Sequence, residues 1–320
     1  MKRSIDAKPG EWRTLPDQGG QPETQHRFEE DAILALNAAL ATGRPLLVRG
    51  EPGTGKSQLA RAAADALGAA LIVHVVDART EIEDLFWRYD AVRRLADAQL
   101  PPGERPDLAE VNYIVPEALW WTFDWSTAAD QAKAVRAAPP ASPRGWIPKN
   151  GPRVLLLDEI DKADESLPNG LLAALGSGFF AVRGRANVTW DATDPPLVLV
   201  TTNEERPLPD AFLRRCLVLH LALPTDAEEL AAWLVDRGGR HVPAAQPSVL
   251  AEAARMLVED RGIIAGKGLC PPGQAEYLDL VRAVCELRSK EKERKQLLED
   301  LRGFTLWKHE PRPGDAVASR

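Results

Sequence analysis

The stretch Gly50-Glu51-Pro52-Gly53-Thr54-Gly55-Lys56-Ser57 follows a short apolar run and leads into an alanine-rich segment that ends near Leu67. Its spacing is that of the complete phosphate-binding loop, G-x-x-x-x-G-K-S/T, and it stands between a predicted strand and a predicted helix as the motif requires. The glycines let the backbone fold around phosphate oxygens with its N–H groups pointing inward, and the start of the helix adds a favourable dipole. The sequence therefore predicts a nucleotide-binding site formed by Gly50, Pro52, Gly53, Thr54, Gly55, Lys56, Ser57 and Gln58.

The last residues of this loop are expected to contact the reacting phosphates and a metal ion. Lys56 should reach the β and γ phosphates, and the hydroxyl of Ser57 should ligate Mg²⁺. ATP and Mg²⁺ are therefore the predicted ligands, and the predicted metal-binding residues are Ser57 and Asp158.

Asp158 belongs to a second motif, in which Asp158-Glu159-Ile160-Asp161 follows the apolar run Val154-Leu155-Leu156-Leu157. Asp158 at the tip of a strand can hold Mg²⁺ through its water shell, and Glu159 can polarise a water for in-line attack on the γ phosphate. Two carboxylates after a buried strand can also be simple solvation of the strand end. Beside a complete phosphate loop, we favour the catalytic interpretation.

Two further motifs contribute candidate catalytic residues. Asn203 follows the apolar run 197–200 through two threonines, where it can hydrogen-bond the attacking water or the γ phosphate. Arg214 and Arg215 precede the apolar run 217–219. Such a pair is commonly a surface cation pair, but in a ring ATPase this position offers a guanidinium to the γ phosphate of the neighbouring subunit.

The apolar pattern along the chain predicts the fold class. Five short apolar runs, separated by helical stretches, are typical of strands buried on both faces of a parallel sheet; they span 46–48, 71–76, 154–157, 197–200 and 217–219. After Pro224 the pattern is helical to about residue 303. We therefore expect an α/β P-loop fold with a five-stranded parallel sheet flanked by helices, followed by an all-α lid domain.

The predicted domains follow from this pattern. They are an extended N-terminal arm at 1–25, an α/β nucleotide-binding domain at 26–224 that begins with a helix at about 27–41, a helical lid at 225–303 and a flexible tail at 304–320. A Trp-rich segment at about 90–150 is too long for an ordinary crossover and should contain an insertion. Its tryptophans either pack beneath the insertion, which we favour, or form a partner-facing patch.

Composition narrows the class of protein. The 320 residues are 44% apolar and 27% charged with a formal charge of −7, which indicates a folded chain and disfavours nucleic acid or an anionic membrane as the main partner. The three Cys form no metal-binding knuckle and the five His are scattered, so neither a zinc site nor a His-based triad has support. With no signal-peptide pattern or long apolar segment, we expect a cytoplasmic protein.

The motifs stand in the order found in AAA+ ATPases. Their residues resemble those of the MoxR branch of that family across about 27–290. The resemblance rests on Gly50 to Ser57, Thr80 to Asp90, Leu156 to Ala163, Leu167 to Leu172, and Thr202 to Cys216. It implies an AAA+ fold and a homo-oligomeric ring, usually of six subunits, with ATP between neighbours. It also implies remodelling of a protein partner, often one with a von Willebrand factor A domain.

The same resemblance implies individual roles. Lys56 and Ser57 belong to the phosphate loop, Asp158 and Glu159 to metal binding and base catalysis, Asn203 to the sensor 1 position, and Arg214 or Arg215 to the arginine finger.

The lid departs from the family pattern. MoxR-like lids commonly carry a sensor 2 arginine at a helix start, where this chain aligns Gln274, so either Lys267 or a neighbouring subunit supplies the charge or the lid is coupled more weakly to nucleotide.

A two-phenylalanine segment, Phe179-Phe180, resembles the hairpin insert in helix two of this clade. If exposed, the two rings would form a substrate-facing loop, and if packed they would belong to the core.

Three rivals to a remodelling ATPase stay open. The missing sensor 2 arginine favours a slow-hydrolysing nucleotide switch in defence or signalling, whereas the Asp158-Glu159 pair argues against it. A nucleic-acid motor is disfavoured by the acidic charge. A small-molecule kinase is the weakest rival, because the glutamate after Asp158 is typical of hydrolases.

Overall fold

All five apolar runs form strands in the computed structural model, which describes residues 3–17, 22–148, 151–190 and 194–308. The strands of this part of the chain are β1 (Trp12–Leu15), β2 (Thr24–Arg27), β3 (Leu46–Arg49), β4 (Ala70–Val75), β5 (Trp87–Tyr89), β6 (Ile114–Pro116), β7 (Arg153–Asp158), β8 (Phe179–Phe180), β9 (Val188–Thr189), β10 (Leu197–Thr202) and β11 (Leu217–His220). The α-helices are α1 (Glu30–Thr42), α2 (Lys56–Leu67), α3 (Ile82–Phe86), α4 (Ala91–Ala98), α5 (Ala118–Phe123), α6 (Trp125–Val135), α7 (Ser166–Ser177), α8 (Asp210–Leu213), α9 (Ala227–His241), α10 (Pro247–Gly266), α11 (Gln274–Leu287) and α12 (Glu291–Thr305).

The main sheet has the order β11-β3-β10-β7-β4, and every neighbouring pair is parallel. Strand β10 is buried along its whole length because it lies between β3 and β7. Strands covered on both faces need continuous apolar runs, which is what the sequence supplies. The carboxyl ends of β3, β7 and β10 consequently meet at one edge of the sheet, where ligands bind in such folds. The predicted fold class is confirmed.

The contacts divide the chain into two units. One comprises Met1–Arg49 and Lys56–His220, and the other comprises Gly50–Gly55 and Leu221–Arg320. The phosphate loop up to Gly55 therefore groups with the C-terminal helices, although the strand before it and the helix after it belong to the α/β unit.

Helices α1 and α2 illustrate how the sequence forms the α/β unit. Helix α1 ends at Gly43, whose φ of 68° lets its N–H bond back to the carbonyl of Ala39. Helix α2 buries Ala60, Ala62 and Ala63, small side chains that allow close packing.

The Trp-rich insertion is a packed structure. Trp120, Trp121 and Trp125 are buried in the core of the α/β unit, and the ring of Trp146 lies 4.5 Å from that of Trp125. The packing interpretation of these tryptophans is confirmed.

The N-terminal segment differs from the extended arm expected there. Strands β1 and β2 pair antiparallel, and Ile5 and Leu15 are buried. The strands are only four residues long and mostly polar, so they leave no periodic signal in the sequence.

The C-terminal unit packs helices α9 to α12 around an apolar core. Its core also holds an ion pair, since Arg302 and Asp260 are both buried and their side chains lie 2.6 Å apart. Helix α12 continues to Thr305, and Leu306 and Trp307 are buried. The tail therefore begins later than the predicted residue 304, because these apolar side chains complete the core.

Parts of the predicted segments lie outside the described residues: 1–2 and 18–21 of the arm, 149–150 of the insertion, 191–193 of the nucleotide-binding domain and 309–320 of the tail. Among the helices in the described ranges, none is long and apolar enough to span a bilayer.

Candidate functional site

The carboxyl edge of the sheet brings the first two predicted residues together. The hydroxyl of Ser57, in the first turn of α2, donates to both carboxylate oxygens of Asp158, at 2.9 and 2.8 Å. Asp158 ends β7, so a residue of the phosphate-loop motif meets the acidic motif across 101 positions of sequence.

Thr201, on the neighbouring strand β10, forms hydrogen bonds with two residues at this edge of the sheet. Its hydroxyl donates to Oδ1 of Asp158 and accepts a hydrogen bond of 2.9 Å from the backbone N–H of Glu159. A single hydroxyl therefore fixes the Asp158 carboxylate and the start of the turn that carries Glu159. Sequence reasoning did not single out this residue.

Glu159 is held in an unusual backbone conformation. Its φ of 62° is rare for a residue with a side chain, and its carboxylate is bound at both oxygens. The Nδ2 atom of Asn203 donates to Oε1 at 3.3 Å, and the ammonium of Lys162 pairs with Oε2 at 2.5 Å. The structure thus brings Asn203 and Glu159 into contact, as their strand-end positions require.

Asp161 holds the segment that follows β10. This carboxylate is 2% exposed and accepts backbone hydrogen bonds from Asn203 at 3.4 Å and from Glu205 at 2.9 Å. Because Asn203 is the residue that contacts Glu159, Asp161 sets the position of a predicted catalytic side chain. The sequence contained it within the acidic motif, but nothing there indicated its role.

Lys56 is buried at the start of α2, with 7% of its surface exposed. Burial lowers the pKa of its ammonium, whereas Asp158 and Asp161 are the main carboxylates that oppose this shift. An anionic ligand would stabilise an ammonium that burial has desolvated, so the burial of Lys56 is compatible with a phosphate partner.

The phosphate loop has the backbone that its glycines allow. Gly53 and Gly55 have φ values of 77° and 93°, in the region that residues with side chains avoid. Within the unit formed by Gly50–Gly55 and the C-terminal helices, the carboxylate of Glu51 pairs with the guanidinium of Arg261 at 2.6 Å.

One residue predicted to bind nucleotide, Gln58, has its side chain bound to another part of the chain. The amide of Gln58 donates to the hydroxyl of Thr24 at 3.1 Å and to the carbonyl of Gln25 at 2.8 Å. Its side chain is thus bound to strand β2.

The arginine pair lies at the start of the edge strand β11. The side chains of Arg214 and Arg215 are exposed, while their backbone carbonyls accept hydrogen bonds from Arg44. Anchored backbone and exposed side chains are what a cation offered to another subunit requires.

Gln274, which stands at the sensor 2 position, and Lys267, the candidate charge substitute, both lie within the helical unit. Gln274 is buried at the first position of α11, and the ammonium of Lys267 lies 5.5 Å from the ring centre of Trp307.

The two phenylalanines take different environments. Phe180 is buried and stacks on Phe86, with 4.4 Å between ring centres, whereas Phe179 is 46% exposed. Strands β8 and β9 form the hairpin that carries them.

The donor set fits a magnesium nucleotide. Mg²⁺ prefers oxygen ligands and binds through one or two carboxylates together with phosphates and water, and Ser57 and Asp158 place a hydroxyl and a carboxylate together. Ser57 and Asp158 would hold the metal, and Lys56, which ends the phosphate-loop motif in the sequence, would contact the phosphates.

The comparison with protein families decides the classification. A model of the AAA domain, dynein-related subfamily, matches residues 45–216. The chain belongs to this AAA family. Proteins of the AAA+ class are generally ATPases that bind nucleotide with Mg²⁺ and commonly assemble as rings.

Several solved structures resemble this AAA protein at low identity. The Thermotoga maritima RuvB Holliday junction branch migration motor is 17% identical with a TM-score of 0.43, and the match covers 85% of this chain and 67% of that chain. A variant of that protein is 16% identical with a TM-score of 0.44 and the same coverage. A candidate ATPase from Cytophaga hutchinsonii is 14% identical with a TM-score of 0.38, covering 86% of this chain and 81% of that chain. No curated protein matches the chain.

Proposed function

We propose that this AAA protein hydrolyses ATP with Mg²⁺ at the carboxyl edge of its sheet. The observation that carries the proposal is the contact of Ser57 with Asp158 beside the contact of Asn203 with Glu159. Metal ligands, a positioned carboxylate and a complete phosphate-loop motif are the parts that phosphoryl transfer to water requires.

Each side chain has a task in this reaction. The N–H groups of the loop and the Lys56 ammonium bind the phosphates, and Ser57 and Asp158 hold the metal, which when bound neutralises charge that develops on the phosphate oxygens. Glu159 accepts a proton from the attacking water, and Asn203 orients Glu159 and that water.

We further propose that the active form is a homo-oligomeric ring, with six subunits as the family resemblance suggests. The exposed side chains of Arg214 and Arg215 support this, because a guanidinium that serves a neighbour must be free of its own core. One of the two would act as the finger.

The task we assign to the ring is remodelling or activation of a protein partner, as in MoxR-like proteins. The motif resemblance and the β8–β9 hairpin, with Phe179 exposed, support this assignment. A protein with a von Willebrand factor A domain is the partner class that the resemblance suggests. The domain limits at 26–224 and 225–303 and the cytoplasmic location stay predictions.

A slow-hydrolysing nucleotide switch is the second candidate function. It is favoured by the contacts of the Glu159 carboxylate with Lys162 and Asn203, because an ammonium that attracts the negative charge of a carboxylate opposes proton transfer to it. Continuous turnover at assembly concentration supports the remodelling ATPase, whereas one turnover per binding event supports the switch.

The experiment that tests the proposed reaction is Glu159→Gln. It should keep ATP binding and lose at least about a hundredfold in phosphate release, the scale of one general base. Glu165→Gln, at an exposed carboxylate nearby, is the matched control and should leave turnover unchanged. Unchanged phosphate release in Glu159→Gln would make the base assignment wrong.

The same variant can identify the partner, because a subunit that binds ATP without hydrolysing it should retain bound protein in a pull-down. Adding duplex or single-stranded DNA to the wild-type assay tests the nucleic-acid motor. Strong stimulation by DNA would favour that alternative over a protein substrate.

A further inference from the structure

The phosphate loop makes close contacts along its length within the unit that it shares with the C-terminal helices. A Cβ added to Gly50 would lie 2.3 Å from the carbonyl oxygen of Leu221, and one added to Gly53 would lie 2.8 Å from the Cβ of Ala275. The loop thus packs directly against the start of α11.

Arg261 of helix α10 adds a charged contact to this packing. Its guanidinium donates to the Glu51 carboxylate at 2.6 Å and to the carbonyl of Pro272 at 3.0 Å. One side chain therefore binds the phosphate loop and the segment that leads into α11. The Arg261 side chain is 19% exposed and the Glu51 side chain is 41% exposed, so the arginine is the more shielded partner of the pair.

We propose that Arg261 is a positioning residue for nucleotide binding, which ties the phosphate loop to helices α10 and α11 through Glu51. The inference rests on the proposed binding of ATP at this loop. Its consequence is that the loop and these helices move as one body, so that any motion of the helices reaches the loop amides that bind phosphate.

Geometry distinguishes this assignment from a simple surface ion pair. Exposed pairs contribute little because water screens them and the side chains lose freedom. Arg255, on the same helix, forms exposed pairs of this kind. Its side chain is 59% exposed and pairs with Glu252 and Glu259 of its own helix. Arg261 instead joins segments 210 residues apart and donates through two nitrogen atoms.

Arg261→Ala tests the proposal through nucleotide affinity. We expect ATP to bind about tenfold more weakly, as for the loss of one charge-assisted hydrogen bond, with a smaller change in kcat. Arg255→Ala is the matched control and should bind ATP as the wild type does. The charge exchange Glu51→Arg with Arg261→Glu should recover affinity that each single reversal loses.

A second readout does not depend on ATP. Hydrogen exchange of the amides at 50–55, measured without nucleotide, should be faster in Arg261→Ala and in Glu51→Gln than in the wild type and in Arg255→Ala. If Arg261→Ala fails to fold, Glu51→Gln carries both measurements.

The outcomes separate this inference from the proposed function. If the wild type does not bind ATP but exchange at 50–55 responds as expected, the proposed function fails and the tie through Arg261 stands. If ATP binds and neither affinity nor exchange changes in Arg261→Ala or Glu51→Gln, the tie is wrong and the ATPase stands. Equal effects in Arg255→Ala would also overturn the assignment.

Discussion

The Nζ atom of Lys162 lies 2.5 Å from Oε2 of Glu159, the carboxylate that we assign as the base. The pair joins residues three positions apart, in the short 3₁₀ turn that follows β7. Glu159 raises the pKa of the Lys162 ammonium by accepting its hydrogen bond. The ammonium thus keeps its charge at neutral pH, and the base is held by a neighbour that belongs to its own turn.

Removing this ammonium should release the base. Lys162→Met is expected to raise ATP turnover by up to about fivefold, the scale of one partly exposed ion pair. Lys162→Arg keeps the charge and should stay near the wild-type rate. A fall in the turnover of Lys162→Met would mean that the ammonium positions Glu159 rather than withholding it.

Asp161 should act on turnover through Asn203. Asp161→Ala leaves two backbone N–H groups without their acceptor, and we expect a loss of stability of about 1–3 kcal/mol together with slower hydrolysis. In an Asn203→Ala background the further loss of rate should be small, because the residue that Asp161 positions is already gone. Equal losses in both backgrounds, measured by phosphate release, would contradict this route.

An arginine acting between subunits predicts rescue in mixed rings. Lys56→Ala subunits, with intact Arg214 and Arg215, should restore activity when they are added to Arg214→Ala or Arg215→Ala subunits, because each contributes the part that the other lacks. Titrating the mixture and following phosphate release gives the measurement. If neither arginine variant is rescued, the finger assignment is wrong.

The helical unit should lose stability in mild acid through His241. Burial lowers the pKa of His241 to about 4, and Arg282 and Arg237 act in the same direction. Between that value and the ordinary 6.5 the unfolded chain binds a proton that the folded chain does not, so stability present above pH 6.5 is lost as the pH falls. Urea unfolding at pH 7 and pH 5 should show a loss in the wild type that exceeds the loss in His241→Asn by about 1–2 kcal/mol.

Removing one partner of the buried ion pair in the helical core should greatly lower the free energy of unfolding, whereas replacing both partners with apolar residues should lower it little. Arg302→Met leaves the buried Asp260 carboxylate without its cation, and we expect a loss of about 3–5 kcal/mol in the free energy of unfolding. Arg302→Met with Asp260→Leu should recover most of that loss. Lys295→Met, which removes an exposed cation from the same helix, is the control and should change stability little.

The fold followed from the sequence because its signal is local. Each strand of the main sheet contains a run of at least three apolar residues, and the observed limits of β4, Ala70–Val75, differ by one residue at each end from the predicted 71–76. The pairing of β1 and β2 escaped prediction because each strand is only four residues long and most of their residues are polar.

The candidate site followed only as far as its motifs extend. Ser57 could be predicted because it belongs to the phosphate-loop motif, and Asp158 and Glu159 could be predicted because they belong to the acidic motif. Thr201 contacts Asp158 because β10 pairs with β7, and the sequences of these two segments do not predict that they are neighbours in the sheet. Arg261 reaches Glu51 across 210 residues, so no local pattern could have indicated the contact.

The grouping of residues 50–55 with the C-terminal helices has a practical consequence for dissecting the protein. A fragment ending at His220 would keep the whole sheet and the Ser57 to Asp158 contact, yet it would lack Leu221, Arg261 and Ala275. Its nucleotide loop would be exposed to solvent on the side that these residues cover. The sequence alone would suggest an autonomous nucleotide-binding domain that ends near residue 220. A fragment cut there would keep the predicted catalytic residues but would lose the residues that pack against the phosphate loop.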